Sequence, residues 1–194
     1  MSAGPHGYEL LHVETRAAWR RWLEQQHATA AGVWVVSWRP RTGKPRVDYD
    51  ALVEEALCFG WIDGRTSPLD DERVMQLLTP RKRGSAWAAS NKARIARLET
   101  AGLLADVGRR AVETAKADGS WTRYDSAEAL EIPPDLAAAL AASPAAAQRA
   151  FAAFTDAATR AVLRGLIDAR RPETRTRRIA EAVELALQKG RGGT

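Results

Sequence analysis

Apolar residues follow two different periods in the first half of this chain and a single, helical one in the second. Trp19, Trp22 and Leu23 stand at i, i+3 and i+4, which predicts a helix from Arg16 to His27 with an aromatic buried side and Thr15 as its N-cap. Core packing accounts for both tryptophans, and His27 at the helix end meets the negative end of the dipole. Tyr8 to Val13 reads as a short strand before it. Gly32 to Trp38 is rich in β-formers and carries Trp34, Val36 and Trp38 on one face of what is expected to be the central strand.

Two prolines and a glycine make Arg39 to Arg46 a loop, with four positive charges in it. Asp48 stands where it would cap a helix running to about Phe59, whose apolar stripe is Leu52, Val53, Ala56 and Leu57. In Leu57-Cys58-Phe59-Gly60-Trp61-Ile62-Asp63-Gly64 this helical pattern gives way within one residue to a strand. Alternation along Gly60 to Ser67 places Trp61, Asp63 and Arg65 on one face. An Asp63-Gly64 hairpin turn is the competing local reading. A turn at Pro68-Leu69-Asp70-Asp71 leads into a second strand from Arg73, and the antiparallel hairpin closes at Pro80.

Six basic residues and no acidic one lie between Arg81 and Arg97. Ser85 is the expected N-cap of a helix that carries Trp87 and Asn91 four residues apart on one face and stops at Gly102. A further helix is expected from about Leu104 to Lys116. Beyond Trp121 the composition shifts toward alanine, and Pro133-Pro134-Asp135 and Ser143-Pro144 each signal a helix start. Helices are expected over about 134–142, 144–153, 156–170 and 173–189, with fraying from Gly190 onward. The fold class is α+β. A small, mostly antiparallel sheet packed with helices occupies 1–124; a helical C-terminal subdomain, 125–190, packs on the same core; 191–194 form a tail.

Composition narrows the class without naming a reaction. The 194 residues suffice for one sizeable core, and 45% hydrophobic with 27% charged residues is ordinary globular content. No apolar run approaches the roughly 18 residues of a membrane span, and the start lacks the pattern of a secretory signal. A single cysteine leaves no intramolecular disulfide, so the cytoplasm is the expected location. Three histidines and that cysteine offer no zinc-ligand pair, and no phosphate loop or dinucleotide fingerprint is present. No metal and no cofactor is expected. The net charge of +5 favours anionic partners, whether small ligands or, through the basic run and the arginines at 170–178, nucleic acid.

Several segments together resemble the bacterial YdeI/OmpD-associated family, also called bacteriocin-protection proteins. They are Trp19-Arg20-Arg21-Trp22-Leu23, Ala56 through Gly64, Thr79-Pro80-Arg81, Ser85-Ala86-Trp87 with Asn91, and Ala169 through Arg175. Leu57 through Gly64 carries most of the resemblance. It implies antimicrobial-peptide tolerance, stress protection and outer-membrane-protein association, with no general reaction.

The candidate chemistry gathers around the helix-to-strand junction. Cys58 sits near a helix C-terminus, where the dipole opposes thiolate formation, and is expected to be a buried hydrophobe. Asp63 is the candidate catalytic acid or base, set against the alternative of a structural ion pair with Arg81. In the binding reading, Trp34, Trp38, Trp61 and Trp87 form apolar walls while Arg65, Arg81, Ser85 and Asn91 orient a small-molecule or peptide ligand. Three functions follow: a ligand-binding self-protection protein, a hydrolase using Asp63 to activate water, and a basic nucleic-acid-binding module.

Overall fold

The structure, a computed structural model, describes residues 4–191; Met1-Ser2-Ala3 and residues 192–194 of the expected tail lie outside the described residues, whereas Arg191, expected to open that tail, closes the last helix. In chain order the elements are β1 (Glu9–His12), α1 (Arg16–Gln26), β2 (Val33–Trp38), α2 (Tyr49–Cys58), β3 (Trp61–Pro68), β4 (Arg73–Pro80), α3 (Ala89–Thr100) and α4 (Asp106–Ala117). There follow α5 (Asp125–Glu128), α6 (Pro134–Ala141), α7 (Ala145–Ala152), α8 (Asp156–Ile167) and α9 (Pro172–Arg191). The chain divides into two compact units between Trp121 and Thr122, three residues before the expected boundary. No helix among the described residues is long and apolar enough to cross a membrane.

The first unit is built on a mixed sheet of order β1-β2-β4-β3, in which β1 runs parallel to β2 and the other pairs are antiparallel. Its fold is α+β, with β2 interior as its apolar run requires. Trp19, Leu23, Val33, Val35, Leu57, Leu78 and Trp61 form the main core with α1 and α2. The Thr15 hydroxyl accepts from the Ala18 amide and caps α1 as expected. Asp48 sits at the N-cap of α2 but makes no side-chain cap and pairs instead with Arg46 at 2.8 Å.

The alternation expected along β3 fails at one point. Asp63 pairs with Leu78 and Thr66 with Gln76, so two residues, Gly64 and Arg65, stand opposite Leu77. This bulge reverses the side-chain direction beyond it. The Gln76 amide stabilises it by donating to the Gly64 carbonyl at 2.8 Å and accepting from the Thr66 hydroxyl. Arg65 is therefore parted from Trp61 and Asp63, and its guanidinium lies 5.3 Å from the ring of Trp34.

Ser85 does not cap α3, which begins four residues later at Ala89. Its hydroxyl instead donates to the Lys82 carbonyl at 2.5 Å and closes the turn after β4. Trp87 consequently precedes the helix and does not share a helical face with Asn91.

The second unit is helical, with its own cluster of Leu136, Ala147, Phe151, Leu163, Leu166, Ala182 and Ala186. Its helices lie where the proline signals place them, with α5 additional and α9 continuing through Gly190, where fraying is expected from the sequence. Thr155 caps α8 through the Ala158 amide, and Arg175 holds Asp135 with two bonds of 2.6 and 2.9 Å.

Candidate functional site

Gly60 makes the junction. Its φ of +71° is a left-handed conformation that favours glycine, and a Cβ there would approach Ala111 to 3.3 Å. The Gly60 amide donates to the Leu57 carbonyl at the end of α2, and its own carbonyl accepts from the Arg81 amide at 2.9 Å. One residue thus ties the helix end to the exit of the hairpin. Gly108 brings α4 against the same junction, with its Cα so near the Cys58 carbonyl that a Cβ would lie 2.3 Å from the oxygen.

Between these pieces opens a cavity of about 320 Å³. Phe59, Trp61, Trp87, Val107 and Ala111 form its apolar wall, and Arg81, Lys82, Arg83 and Arg110 bring positive charge to it. Asp118 is the acidic lining residue; its carboxylate lies 3.8 Å from Arg83 and accepts from the Ser120 amide at 3.0 Å. The Ser120 hydrogen bonds, more than the charge of Arg83, hold its pKa below the usual carboxylate value.

Arg81 is the central cation. Its guanidinium carbon lies 3.8 Å from the Trp87 ring centroid, and Nη2 donates to the carbonyls of Ala86 at 2.9 Å and Ser85 at 3.4 Å. Nε and Nη1 have no protein partner among the described residues. Burial pushes its pKa down to about 10, against a smaller opposing pull from Asp63, so it remains charged at neutral pH.

The two indoles act as wall rather than as stacking platforms. Trp61 is 1% exposed and Trp87 2% exposed. Trp61 meets Trp22 edge to face at 5.7 Å and donates to the His27 carbonyl at 3.2 Å; Trp87 packs on Trp121 at 5.0 Å. His27, expected only to end its helix, also lines the cavity, and its ring bonds the Leu23 carbonyl at 2.7 Å.

Four of the nine residues singled out from the sequence, Trp61, Arg81, Ser85 and Trp87, line this cavity. The other five do not. Asp63 accepts from the Tyr49 hydroxyl at 2.5 Å, rather than making the ion pair with Arg81 that was the structural alternative for it. Trp34 donates to the Pro5 carbonyl and packs with Val36 and Met75 in a separate cluster, where Arg65 joins it and bonds His6 at 2.7 Å. Trp38 donates to Glu14 at 3.1 Å with Lys44 4.0 Å from its ring. Asn91 accepts from Arg94 at 3.0 Å. Sequence spacing missed Arg110, Asp118 and Val107, because α4 reaches the cavity only through the close approach at Gly108.

Cys58 is fully buried, and burial pushes its thiol up to about 11, as its expected role in the core requires. Glu55 is a polar core residue the sequence did not mark. It is 3% exposed and takes Arg16 at 2.6 Å and Arg20 at 2.8 Å, locking α1 onto α2. Arg94 and Arg97, from the basic run, pair with Asp50 and Glu54.

Comparison with curated proteins and with solved structures finds no match. Residues 11–111 match a family described as a domain of unknown function, DUF8412, and residues 129–189 match the family described as bacteriocin-protection, YdeI or OmpD-associated. The Leu57 to Gly64 stretch falls in the first match, whereas Ala169 to Arg175 falls in the second. The chain thus belongs, by a match over just over half its length, to the DUF8412 family, and its residues 129–189 are similar to the family described as bacteriocin-protection, YdeI or OmpD-associated.

Proposed function

We propose that this chain is a cytoplasmic, bacteriocin-protection-related stress protein that binds an anionic small molecule, or the anionic end of a peptide, in the cavity around Arg81. The observation that carries this reading is the half-buried guanidinium, fixed by Trp87 and two carbonyls, with its remaining N–H groups unclaimed. A cation held in place before the ligand arrives loses little freedom on binding. The protective role comes from the name of the family matched at 129–189.

A hydrolase built on Asp63 has less support, since that carboxylate bonds Tyr49 and does not line the cavity. A nucleic-acid module has less too, because Arg94 and Arg97 are engaged by acidic residues of α2. Candidate antimicrobials titrated against tryptophan fluorescence test the reading, with Arg81→Ala as the comparison. Saturable responses weakened in Arg81→Ala support it. Responses unchanged by Arg81→Ala, or no response from any candidate together with unaltered tolerance on deletion, contradict it.

A further inference from the structure

We infer that the group read by this cavity is a compact dianion of the phosphomonoester type, carried by a small molecule, rather than a monocarboxylate; the inference rests on the cavity being the binding site proposed above. The lining charges give the first reason. Arg81, Lys82, Arg83 and Arg110 stand against Asp118 alone, and that carboxylate faces Arg83. Arg81, Lys82 and Arg110 have no ion-pair partner among the described residues. Three positive charges thus converge on about 320 Å³. A monocarboxylate balances one of them, whereas a dianion balances two and presents three oxygens to separate donors.

The neutral donors give the second reason. The Ser85 hydroxyl donates to the Lys82 carbonyl at 2.5 Å, the Thr114 hydroxyl donates to the Arg110 carbonyl at 2.8 Å, and the Ser120 hydroxyl is engaged with Asp118. The lining hydroxyls are therefore occupied by the protein itself. Each keeps lone pairs to accept with but no O–H to give, so donation to an oxygen-rich ligand falls to the cationic side chains. Neither indole has an open face, so stacking does not substitute for it.

The third reason is shape. With Nη2 taken by the two carbonyls, Nε and Nη1 of Arg81 are left to give one charge-assisted hydrogen bond each to an oxygen of the group. Arg81 and Lys82 come from the loop after β4 and Arg110 from α4, so the three cations reach the cavity from two separate elements. Val107, Ala111 and Phe59 leave an apolar wall for the body of the molecule. The volume lies at the lower end for small-molecule pockets, which suits a small phosphorylated compound rather than a folded peptide.

Calorimetric titration of the full chain with phenyl phosphate and with benzoate, at constant ionic strength, tests the inference. Phenyl phosphate is expected to bind at least about tenfold more tightly than benzoate, because it brings a second charge and a third oxygen to the same cations. Lys82→Ala combined with Arg110→Ala, both on exposed side chains, is expected to narrow that ratio to about threefold or less, while Lys44→Ala outside the cavity leaves it unchanged. Equal binding of the two anions, or a preference that survives the double substitution, overturns the dianion assignment and leaves the cavity as an anion site. Binding of neither anion to the unmodified chain overturns the assignment together with the proposed site.

Discussion

The guanidinium carbon of Arg81 lies 3.8 Å from the ring centroid of Trp87, while Nη2 is held by the carbonyls of Ala86 and Ser85. The charge is thereby fixed in orientation as well as position. A lysine at 81 keeps the charge but cannot hold the two carbonyls and the indole while still offering separate N–H groups to a ligand. Arg81→Lys is expected to weaken anion binding by about tenfold and to lower the unfolding free energy by about 1–2 kcal/mol, the scale of a partly desolvated cation–π contact. Calorimetry and urea denaturation read the two effects separately.

Two glycines on helices predict opposite outcomes. At Gly108 a Cβ would sit 2.3 Å from the Cys58 carbonyl oxygen, a backbone atom that cannot swing away. Gly108→Ala is expected to cost at least about 3 kcal/mol, because α4 must move off the junction. At Gly165 on α8 a Cβ meets nothing within 4 Å. Gly165→Ala is expected to stabilise by up to about 1 kcal/mol through the entropy of the unfolded chain. Denaturation midpoints of the two variants should move in opposite directions.

The phenol of Tyr49 has a pKa pushed up to about 12, first by burial and then by the hydrogen bond to Asp63. The neutral phenol is the form the fold favours. Its contribution to stability is fully present below about pH 10 and is lost as pH rises toward 12. Tyrosinate absorbance should show Tyr49 titrating late, with Tyr124 also raised by burial and by its bond to Asp168, and Asp63→Asn should bring the Tyr49 titration earlier.

Cys58 should be inert in the folded protein. With its thiol pushed up to about 11 and no solvent exposure, it stays protonated at pH 8. A thiol reagent at that pH is expected to label it only on the timescale of unfolding, and at once in denaturant. Rapid labelling of the native chain would contradict its place in the core.

Most of the architecture was legible because local signals and burial agreed. Thr15, the prolines at 134 and 144, and the apolar run at 33–36 each lie where their helix or strand requires. The site was legible in part. Trp61, Arg81, Ser85 and Trp87 come together because Gly60 links the end of α2 to the end of β4. Arg65 was misplaced by the bulge at 64–65, since strict alternation cannot register one extra residue. Trp34 and Trp38 lie on β2 away from the cavity, and which face of a central strand meets the helices is decided by tertiary packing. Arg110 and Asp118 could not be placed beforehand, because only the approach of α4 at Gly108 brings them near Arg81.

The indole N–H signals of the tryptophans give the most direct test of the central claim. In a protein labelled with ¹⁵N-tryptophan and titrated with phenyl phosphate, the signals of Trp61 and Trp87, which line the cavity, are predicted to shift with one saturable affinity. Those of Trp34 and Trp38 should remain in place, because they belong to other contacts. Shifts confined to Trp34 and Trp38, with Trp61 and Trp87 unmoved at saturation, would contradict the assignment of the cavity as the binding site.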